Sequence, residues 1–239
     1  MAEQNWFRWL AQQIPWSTTN DLLEVGCGTG LLWNCAPSEE LSNAKITLTD
    51  RSSFIVNATV DVATQTFAHV RGVVANVEEL PFCDEAFDLV VANHMPYHAS
   101  DRDLAIREIV RVLRPRGTLI ESTNGQLNLV ELYEIEKAVF GVAARSELVE
   151  AFGSLSGVPI LNRCFNDVSW RLHVGQLLCT NVPDVVSYLT SMPPGSEASL
   201  DRCEELRAEV ERQMKGSGGV LAVTKQAGVF IAKLPRPRI

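Results

Sequence analysis

The chain has 239 residues, 46% hydrophobic and 21% charged, which is too apolar for a disordered chain or a fibrous repeat and long enough to bury one core without covalent staples. Its 21 Lys and Arg against 29 Asp and Glu give a formal net charge of -8, so a sequence-independent grip on phosphate backbones has little electrostatic support and nucleic acid is not the expected partner. The six cysteines (Cys27, Cys35, Cys83, Cys164, Cys179, Cys203) form no C-x-x-C pair and no metal-ligand spacing with histidine, which reads as reduced thiols in a cytoplasmic protein with no metal.

Taken in chain order, Trp6, Phe7, Trp9 and Leu10 fall on one face of a short helix in an N-terminal segment, 1–20, that lacks the charged-then-apolar layout of a secretory signal. That face packs onto the domain or forms part of a substrate lid. Nowhere do about 18 apolar residues run together, so no membrane span is expected. Apolar runs of strand length follow at 21–26, 44–50, 69–75, 87–93 and 117–123. Their continuous apolar character suits strands covered on both faces. Between them lie helical stretches: one after Gly30, one from Ser52 to about Gln65, and one over 101–113 with Leu104, Ile106, Ile109, Val110 and Leu113 on the buried side. This alternation predicts a doubly wound α/β fold. Beyond it come helices over 128–141, 183–191 and 199–215, a strand over 169–180 and a last strand over 228–233. The loops at 191–197 and 215–219 read as punctuation rather than domain linkers, because the apolar final strand needs a sheet to join, which predicts a single domain over 1–239, with a cofactor-binding core at 21–125, a substrate-side region at 126–227 and the final strand and tail at 228–239.

The chemistry concentrates where the first strand runs out. Glu24-Val25-Gly26-Cys27-Gly28-Thr29-Gly30 is an E-x-G-x-G-x-G loop, in which glycines allow a tight turn and the close approach of a ligand. A nucleotide-like ligand is expected at this edge, outside the carboxyl ends of the strands. The dinucleotide pattern G-x-G-x-x-G demands glycine where Leu31 stands, which counts against a nicotinamide oxidoreductase. Twenty residues past Gly30, Asp50 ends the second strand, where an acid can accept hydrogen bonds from both ribose hydroxyls; the competing reading is that Asp50-Arg51-Ser52 caps the next helix.

From about Asp21 to Thr123 the chain resembles the class I S-adenosylmethionine-dependent methyltransferases, and within them the methyltransferase type 11 branch that includes the ubiquinone/menaquinone C-methyltransferases. Four motifs agree in order and spacing: the glycine loop, the acid at 50, Asn76-Val77-Glu78-Glu79-Leu80-Pro81-Phe82, and the strand Phe87 to Asn93 with the loop His94-Met95-Pro96-Tyr97-His98. A further block, Glu108 to Gly117, is similar to the family's E-I-x-R-V-L-K-P-G-G. The resemblance implies a Rossmann-like sheet of seven strands, mostly parallel with an antiparallel last strand and helices on both faces. It implies S-adenosyl-L-methionine as cofactor, leaving as S-adenosyl-L-homocysteine. The cofactor-binding residues it implies are Glu24, Gly26, Cys27, Gly28, Gly30, Asp50, Arg51, Asn76, Val77 and Asn93, with Glu24 orienting the ammonium group.

Two departures from the family pattern stand out. Asn76 occupies the usual Asp position, where its amide oxygen still accepts from the adenine amino group, and Arg116 occupies a usual glycine, where a left-handed backbone would cost on the order of 1 kcal/mol. Only about twenty residues precede the glycine loop, whereas many relatives carry a longer lid; either access is unusually open, or residues 126–227 cover the pocket, or the chain is truncated.

Methyl transfer from a sulfonium is an in-line displacement that asks mainly for positioning. A base is needed only for an acceptor that arrives protonated, and His94 or His98 can fill that role, with Tyr97 shaping the pocket. Within 117–125, the segment Glu121 to Gly125 either faces substrate or turns into the next helix. His173, Trp170, Tyr133 and Tyr188 are further substrate-side candidates, against a reading as packing residues. The leading expectation is methyl transfer to a small-molecule acceptor by a monomer or homodimer, with the methylated atom (oxygen, nitrogen, carbon or sulfur) open; the alternative is a non-catalytic S-adenosylmethionine-binding regulatory or partner subunit.

Overall fold

The computed structural model describes residues 5–95, 98–142 and 152–236. Seven strands form one sheet: β1 (Asp21–Val25), β2 (Lys45–Asp50), β3 (Val70–Val74), β4 (Phe87–Asn93), β5 (Leu113–Asn124), β6 (Phe165–Cys179) and β7 (Leu221–Pro235). They lie in the order β3-β2-β1-β4-β5-β7-β6. The first five pair in parallel and the β5, β7 and β6 part is antiparallel, as the family resemblance implied. Strand order reverses between β1 and β4, so the ends of these two strands flank the crevice where ligands enter folds of this kind.

The helices are α1 (Trp6–Ala11), α2 (Ser53–Ala63), α3 (Arg102–Val112), α4 (Val130–Phe140), α5 (Gly157–Cys164), α6 (Val182–Leu189) and α7 (Leu200–Gly216). Side chains at the caps explain most of the starts. Asn5, Ser52, Asp101, Asn181 and Ser199 each accept a hydrogen bond from a backbone N–H in the first turn that would otherwise lack a partner.

By its internal contacts the chain divides into two compact units. The first comprises Met1–Thr123, Ser154–His173 and Gly228–Ile239. Its core on one sheet face joins Leu22, Ile46, Leu48, Leu89, Val91 and Ile120 to Leu10, Ile14, Trp16 and Trp33. A helix of six residues such as α1 is not stable alone; burying Leu10, Ile14 and Trp16 at about 1.5–3 kcal/mol each holds it in place. The buried indole N–H of Trp16 donates to the Ala11 carbonyl at 2.7 Å, so burying that ring leaves no polar group of its own unpaired. The second unit comprises Asn124–Gly153 and Val174–Ala227. In it α7 packs against α4 and α6, around Leu132, Ile135, Val185, Leu189, Leu206 and Val210.

Three expectations need correction. No helix follows Gly30: residues 31–43 form turns closed by three-residue hydrogen bonds such as Trp33 N–H to Gly30 O and Cys35 N–H to Leu32 O. Pro37 lacks a donor and disfavours helical backbone at Ala36, which stops a helix from propagating, while Leu32, Trp33 and Leu41 are still buried. Arg116 lies in the extended strand β5 rather than in left-handed backbone, so the strain expected there is absent. Helix α5 carried too short a pattern to be read from sequence, and β7 begins seven residues before the expected 228 because Thr224, Lys225 and Gln226 interrupt its apolar run.

Glu121 on β5 has no exposed surface, and neither carboxyl oxygen finds a hydrogen-bond partner among the described residues. Burial holds this carboxyl well above the usual carboxylate range. A folded-state pKa raised in this way leaves stability intact below the unfolded value and erodes it as pH rises toward the folded one. Glu121→Met should therefore stabilise the fold by about 1–3 kcal/mol, with a larger gain in Tm at about pH 8 than at about pH 5. Thermal denaturation at both pH values checks this, and a variant that melts lower at both contradicts it.

Candidate functional site

The loop at the end of β1 is shaped by its glycines. Gly26, Gly28 and Gly30 have φ of 68°, 52° and 74°, backbone that side-chain-bearing residues rarely adopt. At Gly26 a Cβ would also lie 2.6 Å from Cγ of Met95, so the loop and the β4 loop approach too closely for any larger residue. The loop is tied to its neighbours at two points: Cys27 N–H donates to Thr49 O at 2.9 Å, and the fully buried Thr59 hydroxyl of α2 donates to Gly28 O at 2.5 Å.

Two cavities meet at this loop, and both are lined by Gly26, Gly28 and Asn93. The larger, about 380 Å³, is lined on one side by Asp50, Arg51, Asn76 and Val77 and on the other by Asn93, His94 and His98. The smaller, about 290 Å³, adds Phe7, Glu24, Cys27, Gly30 and Leu31. The fold thus brings together the expected cofactor residues with His94 and His98, while Trp170, His173, Tyr133 and Tyr188 line neither cavity and Tyr97 lies outside the described residues. In α1, Leu10 and Ala11 enter the core, in line with the packing reading of the N-terminal face, while Phe7 lines the smaller cavity.

Asp50 is half-buried, and its Oδ1 accepts from Ser52 N–H at 3.0 Å. The cap of α2 is Ser52 itself, whose hydroxyl accepts from Ile55 N–H, so Asp50 is not the capping residue. Asn76 turns back on its own loop, its Oδ1 accepting from Glu78 N–H at 3.2 Å, which leaves an amide oxygen lone pair for a ligand. Glu24 is 2% exposed, and its Oε2 accepts the Trp33 indole N–H at 2.6 Å. Burial, reinforced by the nearby Asp50 charge and opposed by that hydrogen bond, leaves the Glu24 carboxyl pushed up to about 8. Burial, with the neighbouring Glu24 and Asp50 carboxyls, pushes the Cys27 thiol up to about 12 against a hydrogen bond with Thr59, which keeps it protonated and inert as a nucleophile.

His94 sits at φ 52°, an uncommon conformation for a residue with a side chain. Ser122 accounts for it: its carbonyl and hydroxyl oxygens both accept from His94 N–H, at 3.1 and 2.9 Å, and its hydroxyl donates to Asn93 Oδ1 at 2.5 Å. The His94 ring lies 5.4 Å from Trp6, which contacts Trp9 and His173 at 5.3 and 5.7 Å. His173 therefore belongs to an aromatic cluster in the first unit, Trp170 packs on Phe230 at 4.6 Å, and Tyr133 packs against the second unit's core.

Sequence reasoning missed the anchoring role of four groups that hold the site. Besides Trp33, Thr59 and Ser122, these include the pair Glu108 and Arg111 on α3. Arg111 donates to the carbonyls of Leu80 and Phe82 at 2.7 and 2.6 Å, and Glu108 accepts from Leu80 N–H at 3.0 Å, which pins the loop carrying Asn76 and Val77. The Glu108 and Asp84 carboxylates hold the Arg111 guanidinium even more firmly protonated than usual, so its charge is permanent. The clearest available signal was Thr59, a polar residue on an otherwise apolar buried helix face.

A doubly wound sheet with a glycine loop at its switch point, an acid closing β2 and polar groups closing β4 defines a nucleotide-cofactor-binding α/β domain. Comparison with known proteins gives the kind. A family model described as a methyltransferase domain matches residues 23–120. The chain is 31% identical to malonyl-[acyl-carrier protein] O-methyltransferase of Buchnera aphidicola over 117 residues, 49% of this chain and 43% of that protein. It is 28% identical to the ubiquinone/menaquinone biosynthesis C-methyltransferase UbiE of Geotalea daltonii over 120 residues, 49% of this chain and 51% of that protein. The chain spans about half the length of the curated relatives it matches. A candidate methyltransferase of Bacillus halodurans C-125 shares the fold at TM-score 0.63, with 17% identity over 96% of this chain and 99% of that one.

The cofactor of such domains is S-adenosyl-L-methionine, and the site passes a test of fit: the positive-φ loop keeps side chains out of a cleft bordered by the carboxyls of Asp50 and of the buried Glu24. Because Thr59 fixes the loop through one hydrogen bond, Thr59→Val should lower affinity for S-adenosylhomocysteine about three- to tenfold, the usual worth of such a bond, with little change in Tm. Calorimetric titration checks this; unchanged affinity would mean that the loop holds its shape without that bond.

Proposed function

We propose that this chain transfers the methyl group of S-adenosyl-L-methionine to a small-molecule acceptor. The observation that carries the reading is the convergence on one rim of the glycine loop, Asp50, Asn76 and Val77 on one side and Asn93, His94 and His98 on the other. When bound, the cofactor supplies a methyl carbon on a positively charged sulfur that is already a good leaving group. The chain's own residues then hold and aim. Gly26, Gly28 and Gly30 keep the cleft open, with Cys27 as a neutral wall; Asp50, beside Arg51, accepts from the ribose hydroxyls; Asn76 and Val77 bracket the adenine; Glu24 faces the amino-acid end. Holding two reactants in line supplies most of the rate that such a reaction asks of a protein.

At the other side of the cleft, His94 or His98 accepts the proton of an acceptor that arrives protonated. The relatives' names cover both an oxygen and a carbon methylation, so the methylated atom is left to the acceptor. A formal net charge of -8 favours a small molecule over a nucleic acid. Six free cysteines favour a reducing, cytoplasmic setting, and among the described residues no helix is long and apolar enough to cross a membrane.

Incubation of the full chain with S-adenosylmethionine and a panel of phenols, quinones, amines and carboxylic acids should release S-adenosylhomocysteine with at least one acceptor. Asp50→Ala should weaken cofactor binding about tenfold or more, as loss of charge-assisted hydrogen bonds does, while leaving NADH unbound in both proteins. A wild-type chain that binds neither S-adenosylmethionine nor S-adenosylhomocysteine contradicts the proposal.

A further inference from the structure

A further cavity, of about 650 Å³, opens at the amino ends of the parallel strands, and no residue that lines the cofactor cleft lines it. Strand β2 links the two places: Lys45 opens the strand at this cavity, and Asp50 closes it at the cleft, roughly 16 Å further along. Strand register sets what the cavity presents. Thr47 on β2 stands beside Arg71 on β3, and two residues earlier Lys45 stands beside His69, whose carbonyl accepts from Ile46 N–H at 2.8 Å. These four side chains therefore share one face of the sheet, while Ile46 and Val70 turn into the core on the other.

The bases here have no acids. Among the described residues none of Lys45, His69 and Arg71 forms an ion pair, and the carboxylate that does line the cavity, Asp21, is taken by Arg114 at 2.9 Å. In a chain of formal net charge -8, neighbouring cations without counter-ions repel one another until an anion joins them. Arg71 is also held ready. Its Nε donates to the buried Thr47 hydroxyl at 2.9 Å, and its guanidinium lies 5.8 Å from the centroid of Phe82, which leaves the two terminal nitrogens as a positioned fork. Half-buried Phe82 and buried Phe87, edge to face at 5.1 Å, give the cavity an apolar wall beside this polar row.

We propose that this cavity is a ligand site separate from the cofactor cleft, built for a small phosphomonoester carried on an apolar or aromatic body. A phosphomonoester brings three acceptor oxygens and about two negative charges, which suit the ammonium of Lys45, the fork of Arg71 and an imidazole N–H of His69 together. A carboxylate brings one oxygen and about one charge fewer. The body of the ligand rests against Phe82. That residue ends the loop that begins with Asn76 and Val77, so the ligand leans on the segment that also walls the cofactor cleft. Its distance along β2 from that cleft excludes it as the methyl acceptor.

Calorimetric titration of the full chain tests this, with phenyl phosphate, inorganic phosphate and benzoate as probes. Phenyl phosphate should bind about tenfold or more tightly than either, because inorganic phosphate lacks the ring and benzoate lacks the third oxygen and the second charge. Lys45→Gln and Arg71→Gln should each weaken phenyl phosphate about tenfold or more, and Arg71→Lys, which keeps the charge but loses the fork, should restore part of that loss. Lys45 and Arg71 are exposed, so these variants should fold and bind S-adenosylhomocysteine as the wild type does. Phenyl phosphate should also bind equally well in Asp50→Ala and in the presence of excess S-adenosylhomocysteine. A probe that fails to bind, that binds no better than benzoate or inorganic phosphate, or that keeps its affinity in both glutamine variants overturns the proposal. Competition with S-adenosylhomocysteine would place the probe in the cofactor cleft and overturns it as well. Each of these results leaves the methyltransferase reading standing.

Discussion

The backbone leaves β1 through three glycines with positive φ, and the rest of the site depends on that path. A chain that turned there with ordinary residues would place a Cβ into Met95 at position 26 and would project side chains into the cleft that both cavities share. Because no helix follows, the loop has no helix N-terminus to steady it. Its shape is fixed instead by Cys27 bonded to β2, by Thr59 reaching across from α2, and by the burial of Leu32 and Trp33. Trp33 does two things at once: its ring packs in the core against Trp16 and Phe67, and its N–H holds the carboxyl of Glu24. Packing of the turn and chemistry of the acid are therefore one feature.

The other walls follow the same logic of remote anchors. Arg111 and Glu108 on α3 occupy three backbone groups of the loop carrying Asn76 and Val77, so an exposed segment with little packing of its own is held by charge-assisted hydrogen bonds. Ser122 on β5 holds Asn93 and His94 in an uncommon backbone conformation across the β4–β5 pair. Strain of this kind persists only where neighbours over-determine it, and here the neighbour is one buried hydroxyl and its own carbonyl. Each wall of the cleft is thus set by a residue that does not line it.

Much of this was legible in the sequence because parallel strands buried on both faces read as unbroken apolar runs and because glycine spacing reports backbone shape directly. The five strands from β1 to β5 and the helices α2 and α3 were read that way, whereas positions such as 24, 76, 77, 93, 94 and 98 came from the family resemblance, and the structure places them along one cleft. What escaped was tertiary. Pro37 stopped a helix that the pattern around Leu31 to Trp33 suggested, and Arg116 proved to be ordinary strand because β5 begins at Leu113. The anchoring roles of Trp33, Thr59, Arg111 and Ser122 arise only when residues 9 to 31 positions apart meet, and no local pattern encodes such a meeting.

The most direct measurement is a crystal structure of the chain with S-adenosylhomocysteine. The expected result places the ribose hydroxyls on Asp50, the adenine against Val77, and the amino-acid end beside Glu24 along Gly26 to Gly30. A nucleoside bound away from Asp50 and the glycine loop would contradict the central claim that this loop builds the cofactor site.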